Sequence, residues 1–254
     1  MKTKHTLLVV IALLIGIGFL FAQEATETAP AQVAPKVNLI SMFATSGFWA
    51  YPILLVFLIG LAYGIVRYIQ LYIREKIDAE KFFLKLKNYI KNDQLDEATK
   101  IADQFRSTTM GFIFWSGLMV FKDARKSGKK GVEARLAVQN AFEEAVLQTV
   151  HKLDGGLFWF DTLAQISTYL GLLGTIFGLI KAFASLGNLT GPEQNKALTD
   201  GIYIAIGTTA LGLMAAIPLT LIKGGLFTRA QDLINDIDEY SVKLINHINN
   251  SIKE

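Results

Sequence analysis

The sequence predicts an all-α integral membrane protein with three transmembrane helices and further long helices that form a bundle outside the membrane. Hydrophobic residues make up 52% of the 254 residues and the mean hydropathy is +0.37, which is more apolar than soluble domains usually are. Three stretches, 43–66, 162–180 and 201–222, contain no Asp, Glu, Lys, Arg or His. Outside them, apolar residues recur at helical spacing and no strand pattern competes.

Each uncharged stretch is long enough to cross a bilayer. At about 1.5 Å per residue they reach roughly 28 to 36 Å, against a hydrocarbon core of about 30 Å. Lys181 and Lys223 can extend from the ends toward water, so the predicted spans are 43–66, 162–182 and 201–223. Aromatic residues near the expected interfaces are typical of membrane helices; they are Trp49, Tyr51, Tyr68, Tyr72, Phe158, Trp159 and Phe160.

The N-terminus has the composition of an export signal. Lys2 and Lys4 precede an apolar run that ends before Ala22, and this order is typical of a secretory signal peptide. Residues 1–22 are therefore a cleaved signal peptide or, alternatively, an uncleaved anchor helix. Residues 23–42 are rich in Ala, Pro, Thr and Glu and are expected to be a periplasmic tail.

Basic residues predict the orientation of the spans, since cytoplasmic loops carry the excess of Lys and Arg. The basic residues beside the first and third spans are Arg67, Arg74, Lys76, Lys223 and Arg229. In the connection 183–200, the only Lys or Arg is Lys196. We therefore expect 67–161 and 224–254 to be cytoplasmic and 183–200 to be a periplasmic loop, in a bacterial inner membrane.

Amphipathic stripes fill both predicted cytoplasmic regions. In 67–161 the stripe residues are Phe83, Leu86, Ile90, Leu95, Ala98, Ile101, Ala102, Val138, Phe142, Ala145, Val146 and Val150. In 224–254 they are Leu233, Ile237, Tyr240, Ser241, Leu244 and Ile248. An amphipathic helix needs a partner for its apolar face, so these helices are expected to bundle, within one chain or between copies.

Several functional classes find no support in the residues. A formal charge of +3 with no basic stripe argues against nucleic-acid binding. The absence of Cys and the scattered His5, His151 and His247 argue against metal sites. No phosphate-binding loop, nucleophile elbow or zinc-protease motif is present, so we expect no enzyme activity, no catalytic residue and no cofactor.

Small and hydroxyl residues recur at helical spacing in the spans. Those assigned to helix packing are Gly60, Gly64, Gly171, Gly174, Gly178, Gly212 and Pro218. The hydroxyls on or beside these faces are Ser167, Thr175, Thr208, Thr209 and Thr220. Small residues let membrane helices approach closely, so packing alone would explain these faces, and a membrane scaffold is one hypothesis.

A second hypothesis follows from the missing charges. Proton carriers in membranes are usually carboxylates or histidines, and the three spans have none. If the protein moves ions, its hydroxyls must line a path shared with a partner that supplies the titrating group.

Two segments resemble a known family. "TYLGLLGTIFGLIKAF" (168–183) and "DGIYIAIGTTALGLMAAIP" (200–218) are similar to the paired motifs of the proton-channel family of ExbB, TolQ and the flagellar stator protein MotA. The predicted three-span layout looks more like ExbB or TolQ than MotA, which has four spans.

The resemblance implies a homopentamer around single-span partners of the ExbD/TolR type, in which a membrane Asp of the partner carries the proton. It implies that Thr175 and Thr209 line the ion path, with Thr208, Ser167 and Thr220 as possible additional lining residues. It further implies a TonB-like energy transducer and outer-membrane transport, with a TolQ-like or motility-type stator as the alternative. ExbB and TolQ commonly carry a Glu where this chain has Ile204, and H⁺ and Na⁺ both stay open as the ion.

Overall fold

The structure is a computed structural model that describes Phe43 and residues 46–128, 131–188 and 190–251. All regular secondary structure in these residues is helical, which confirms the all-α prediction. The predicted signal peptide or anchor (1–22) and periplasmic tail (23–42) lie outside the described residues.

The two longest helices lie in the C-terminal part of the described chain. A single 3₁₀ turn (Gly47–Trp49) precedes α1, and a π-helical segment (Ile69–Arg74) continues it. The α-helices are α1 (Ala50–Tyr68), α2 (Ala79–Lys91), α3 (Leu95–Gln104), α4 (Thr109–Lys126), α5 (Val132–Thr149), α6 (His151–Asp154), α7 (Phe158–Asn188) and α8 (Pro192–Ser251).

Three helical segments among the described residues are long and apolar enough to cross a membrane: Gly47–Lys91, Val132–Gly187 and Pro192–Ser251. They contain the predicted spans 162–182 and 201–223 and all of 43–66 from Gly47 onward, so the chain is a helical membrane protein. Which side of the membrane each connection occupies stays a prediction.

The predicted loop 183–200 is mostly helical. Helix α7 continues to Asn188 and α8 begins at Pro192. Proline is favoured at the first helical position, where its missing N–H is not needed, and Gly191 before it has a φ of +69°, which glycine adopts without strain. The prediction took 183–200 as a loop because it connects two spans, whereas the two helices extend into most of it.

The chain divides into two compact units. The apolar unit contains residues up to Ile65 and Phe158–Gly225; the charged unit contains Val66–Leu157 and Leu226–Glu254. Helices α1 and α8 each continue from one unit into the other. The predicted third span and the predicted C-terminal helix are thus parts of one helix of 60 residues with Pro218 inside it.

In the apolar unit, small residues lie inside and many large ones outside. Leu219 is fully buried against Ala164 and Ala216, with Phe57 and Leu163 partly buried beside them. The large exposed side chains include Leu55, Leu172, Ile176, Phe183 and Ile206. Such a surface would be unfavourable in water and is typical of helices in lipid, where association depends on close packing of small residues.

The charged unit is arranged like a water-soluble helical bundle. Helix α2 is capped by Asp78, whose Oδ1 accepts from the Lys81 N–H at 3.1 Å, and α4 by Thr108, whose Oγ1 accepts from the Gly111 N–H at 3.1 Å. Such caps satisfy backbone donors that have no partner within the helix. The core of the bundle is built on buried aromatic rings: Phe82 stacks on Phe114 with 5.5 Å between ring centroids.

The C-terminal part of α8 covers this bundle with its apolar stripe. Its buried residues are Leu233, Ile237, Ser241, Leu244 and Ile248, and the Tyr240 ring contacts Phe83 with 5.5 Å between centroids. The stripe residues predicted in the preceding region and buried here are Phe83, Leu86, Ile90, Ala98, Ile101, Ala102, Val138, Phe142 and Ala145. The amphipathic helices therefore pack against one another within a single chain.

Candidate ion path

Helices α7 and α8 approach each other closely at glycines within the apolar unit. A Cβ placed on Gly178 would lie 2.8 Å from the Ala205 backbone nitrogen and 2.9 Å from the Gly201 carbonyl oxygen. A Cβ on Gly171 would lie 3.2 Å from the Gly212 Cα. These neighbours are backbone atoms that cannot rotate away, so a side chain at either position would force the two helices apart.

The other predicted packing residues also lie at helix contacts. A Cβ on Gly212 would lie 2.7 Å from the Ser167 carbonyl oxygen. On α1, a Cβ on Gly60 would lie 2.5 Å from Leu219 Cδ2, whereas one on Gly64 would meet Ile222 Cγ2 at an ordinary 3.4 Å. Substitution is therefore more restricted at Gly60 than at Gly64.

Pro218 is buried inside α8. It has no N–H to donate to the carbonyl one turn earlier, so this part of the helix lacks one backbone hydrogen bond.

Two of the predicted hydroxyls lie inside the α7–α8 contact. Thr208 is fully buried, with its Oγ1 2.7 Å from the position of a Cβ on Gly174. Its hydroxyl is within hydrogen-bonding distance of two carbonyls of its own helix, Ile204 at 3.0 Å and Ala205 at 2.9 Å. Ser167 is also fully buried, and its Oγ has no partner among the described residues. Within this chain, both side chains are therefore packing residues.

Thr175 and Thr209 lie beside the same contact but are only half-buried. The Thr175 hydroxyl donates to the Leu172 carbonyl at 2.6 Å, and the Thr209 hydroxyl makes a long 3.5 Å contact to the Ala205 carbonyl. The Thr209 Cα is 3.3 Å from the Cβ position of Gly171. Since Thr175 follows Gly171 by four residues, the two threonines are separated by about one helical turn, or about 5.4 Å, along α7.

Thr220 is exposed on α8, and its hydroxyl donates to the Ala216 carbonyl at 3.0 Å. The five predicted hydroxyls thus fall into two groups. Ser167 and Thr208 are buried in the contact, whereas Thr175, Thr209 and Thr220 are accessible to some degree.

A hydroxyl bonded to its own backbone can still interact with an ion or water. The bond occupies the hydrogen, and the oxygen keeps acceptor lone pairs. Thr175 and Thr209 can therefore accept hydrogen bonds from a water chain or coordinate a cation. A threonine hydroxyl does not titrate near neutral pH, so another group must take up and release the proton.

An ion pair that the sequence did not reveal joins α7 and α8 at one end of the spans. Lys223 Nζ is 2.6 Å from Asp161 Oδ2. We expected Lys223 to extend toward water, and the structure pairs it with a carboxylate instead. The signal in the sequence was that Asp161 immediately precedes one uncharged stretch and Lys223 immediately follows the other; antiparallel helices bring such residues together.

Comparison with known proteins agrees with this architecture. The family model of the MotA/TolQ/ExbB proton channel family matches residues 116–239, which contain α7 and the first part of α8. Biopolymer transport protein ExbB of Aquifex aeolicus is 30% identical over 109 residues, which cover 42% of this chain and 73% of the relative.

Two further relatives are matched over smaller shares of their own length. Tol-Pal system protein TolQ of Haemophilus influenzae is 31% identical over 139 residues, 52% of this chain and 60% of the relative. Biopolymer transport protein exbB1 of Vibrio cholerae is 41% identical over 68 residues, 27% of this chain and 30% of the relative. The chain therefore covers less than two thirds of either of these relatives.

The agreement between these matches and the fold assigns the chain to a protein family. Two apolar helices, packed through glycines with threonines beside the contact, lie in or overlap the region 116–239 that the family model matches. The Aquifex relative is covered over nearly three quarters of its length. The chain belongs to the MotA/TolQ/ExbB proton channel family.

Proposed function

We propose that this chain is the channel-forming subunit of an inner-membrane motor driven by the proton motive force. The observation that carries the proposal is the pair of half-buried threonines beside the glycine contact of two uncharged spans. The hydroxyl groups of Thr175 and Thr209 supply oxygen ligands without a permanent charge. Family membership supports ion conduction as the purpose of this arrangement.

In the proposed mechanism, Thr175 and Thr209 hydrate one wall of the path. Thr220 is an additional candidate because its hydroxyl is exposed. Ser167 and Thr208 are omitted from the wall, since both are fully buried within the chain. Their role is to maintain the α7–α8 distance that presents the two half-buried hydroxyls.

The other half of the path is proposed to come from a partner. No Asp, Glu or His lies within 162–180 or 201–222, so the titrating carboxylate is assigned to a single-span protein of the ExbD/TolR type that carries a membrane Asp. Five copies of this chain around such a partner would surround its carboxylate with hydroxyls. A TonB-like transducer would receive the work for outer-membrane transport, in keeping with the biopolymer transport names of two relatives.

The topology belongs to the same proposal. Residues 67–161 and 224–254 are placed in the cytoplasm and the 183–200 connection in the periplasm. Residues 23–42 then lie in the periplasm whether or not 1–22 are cleaved, and the N-terminus is periplasmic after cleavage.

This chain has Ile204 at the position where ExbB and TolQ proteins commonly carry a Glu. The side chain is half-buried, and its carbonyl accepts from Thr208. We propose that this chain relies on the partner's carboxylate alone. Ion flux measured with H⁺ and with Na⁺ gradients would identify the ion.

Reconstitution with the partner tests the proposed function. The chain is purified alone and together with a single-span, Asp-containing partner of the ExbD/TolR type, and ion flux is measured in liposomes. We expect flux only with both proteins, and its loss when the partner's membrane Asp is replaced by Asn. Absence of flux from the complete complex would contradict the proposal.

A non-conducting scaffold is the second candidate function, and the close glycine contacts favour it. A scaffold would assemble with the partner without flux, and valine at Thr175 or Thr209 would leave its activity unchanged. The same reconstitution therefore separates the two candidates.

A further inference from the structure

The charged unit contains a basic cleft that the proposed ion path does not use. It has a volume of about 540 Å³, within the range of small-molecule sites. Its charged lining residues are Arg67, Arg74, Arg106, Lys152 and Glu75, so four cations face one carboxylate.

One of these cations is structural. Arg67 is only 8% exposed, and its Nη2 donates to the Leu153 carbonyl at 2.7 Å while its Nη1 donates to Gln70 Oε1 at 2.9 Å. Its Nε is buried without a partner among the described residues. Arg67 therefore fixes one wall of the cleft and leaves one buried N–H without an acceptor.

The single carboxylate is already engaged. The two oxygens of Glu75 accept from the Thr109 backbone N–H at 2.8 Å and from the Thr109 hydroxyl at 2.9 Å. These bonds hold Glu75 at the N-terminus of α4. Among the described residues, it forms no salt bridge with any of the four cations.

Three cations are left to act on a ligand. Arg74 and Lys152 are exposed, and within the described residues neither side chain makes a hydrogen bond or ion pair. Arg106 is held over the Trp115 ring at 3.9 Å, with Asp103 4.0 Å from its Nη1. The stacking orients a guanidinium that otherwise has one weak ionic contact.

We propose that this cleft binds a phosphate-bearing anion. Guanidinium groups match phosphate oxygens through paired N–H donors, and an ammonium adds a point charge. Arg74, Arg106 and Lys152 supply these groups, while Arg67 shapes the pocket.

The position of the lining residues in the sequence favours a lipid phosphate as the source. Arg67 and Arg74 follow the first uncharged stretch, which ends at residue 66, and Lys152 precedes the second, which begins at residue 162. Basic residues that flank membrane spans attract anionic head groups. A soluble organophosphate has the same recognition chemistry and is distinguished by the experiment.

The experiment measures bound phospholipid by native mass spectrometry of the full chain in detergent. Phosphatidylglycerol and phosphatidylcholine are offered separately, and millimolar glycerol 3-phosphate serves as a soluble competitor. The test variant is Arg74→Gln with Lys152→Gln. The control variant is Lys85→Gln with Lys126→Gln, which removes the same charge from exposed positions outside the cleft.

We expect wild type and control to retain phosphatidylglycerol in preference to phosphatidylcholine, and the test variant to lose it by at least about tenfold. Displacement by glycerol 3-phosphate would identify a soluble phosphate as the ligand and uphold the site. Equal retention in test and control variants, or no preference for the anionic lipid and no competition, would overturn the proposal. Because both substituted residues are exposed, unchanged thermal unfolding is expected; if the double variant unfolds, the single Arg74→Gln variant replaces it.

Discussion

The two units of this chain place large and small residues in opposite ways. In the charged unit, the rings of Phe114 and Phe142 are at most 1% exposed. In the apolar unit, glycines are buried in the helix contacts while Ile206 is 66% exposed and Phe183 63%. Water drives large apolar side chains inward, but lipid does not, so close backbone packing determines the apolar unit. Truncating large residues should damage the charged unit widely but the apolar unit only at its few buried large side chains, whereas enlarging the glycines at its helix contacts should damage the apolar unit.

The largest expected effect is truncation of an aromatic ring in the charged unit. Phe114→Ala removes a fully buried ring that stacks on Phe82, and such changes cost about 3 to 5 kcal/mol of unfolding free energy. Thermal unfolding followed by circular dichroism measures the loss. Leu147→Ala is the control, because Leu147 is 80% exposed in the same unit; equal destabilisation by both changes would contradict the assigned core.

Enlarging a glycine should be the next most damaging change. Gly178→Leu meets the Ala205 and Gly201 backbones and should cost about 2 kcal/mol or more. Gly187→Leu, on the same helix, meets nothing within 4 Å and should be tolerated. Thermal stability in detergent would rank the two variants, and the opposite ranking would rule out this contact between α7 and α8.

Truncating a large residue in the apolar unit sharpens the comparison. Ile206→Ala should cost less than about 1 kcal/mol, because the side chain is mainly exposed and lipid is as apolar as isoleucine. Leu219→Ala on the same helix should cost about 2 to 5 kcal/mol, since Leu219 is fully buried. Stability measured for both variants in one detergent checks the difference; similar losses would mean that Ile206 is packed against protein.

The smallest expected effect is a pH dependence from His247 in the charged unit. Burial and the neighbouring Lys87 and Lys91 lower its pKa below 6.5. At low pH the unfolded chain therefore binds a proton more readily than the folded one. The contribution of His247 to the free energy of unfolding is present above about pH 6.5 and is lost as the pH falls through the lowered pKa. Melting curves between pH 8 and 5 should show a smaller loss in His247→Gln than in wild type.

Sequence periodicity predicted most of the helical architecture because both kinds of packing produce repeats. The buried stripe from Leu233 to Ile248 and the glycine contacts of α7 and α8 follow helical spacing. Periodicity could not separate the neighbours Thr208 and Thr209. They differ by about 100° around the helix, and the packing of Thr208 against Gly174 on α7 is what buries it.

Contacts between distant segments were also beyond the sequence. The Asp161–Lys223 pair needs the antiparallel register of two helices, and the basic cleft combines residues from three parts of the chain. The helical residues 183–188 and 192–200 were predicted as a loop because they connect two spans, although the helices continue into them. In each case, the missing information was three-dimensional register.

Ion flux through hydroxyl variants tests the central claim most directly. Liposomes containing the chain and its partner would carry Thr175→Val with Thr209→Val, Thr175→Ser with Thr209→Ser, or Thr168→Val as a control elsewhere on α7. Valine keeps the shape and removes the oxygen, whereas serine keeps the oxygen. We predict that the double valine variant assembles but conducts at least about tenfold less, while the serine and Thr168 variants conduct like wild type. Wild-type flux in the double valine variant would contradict a threonine-lined path.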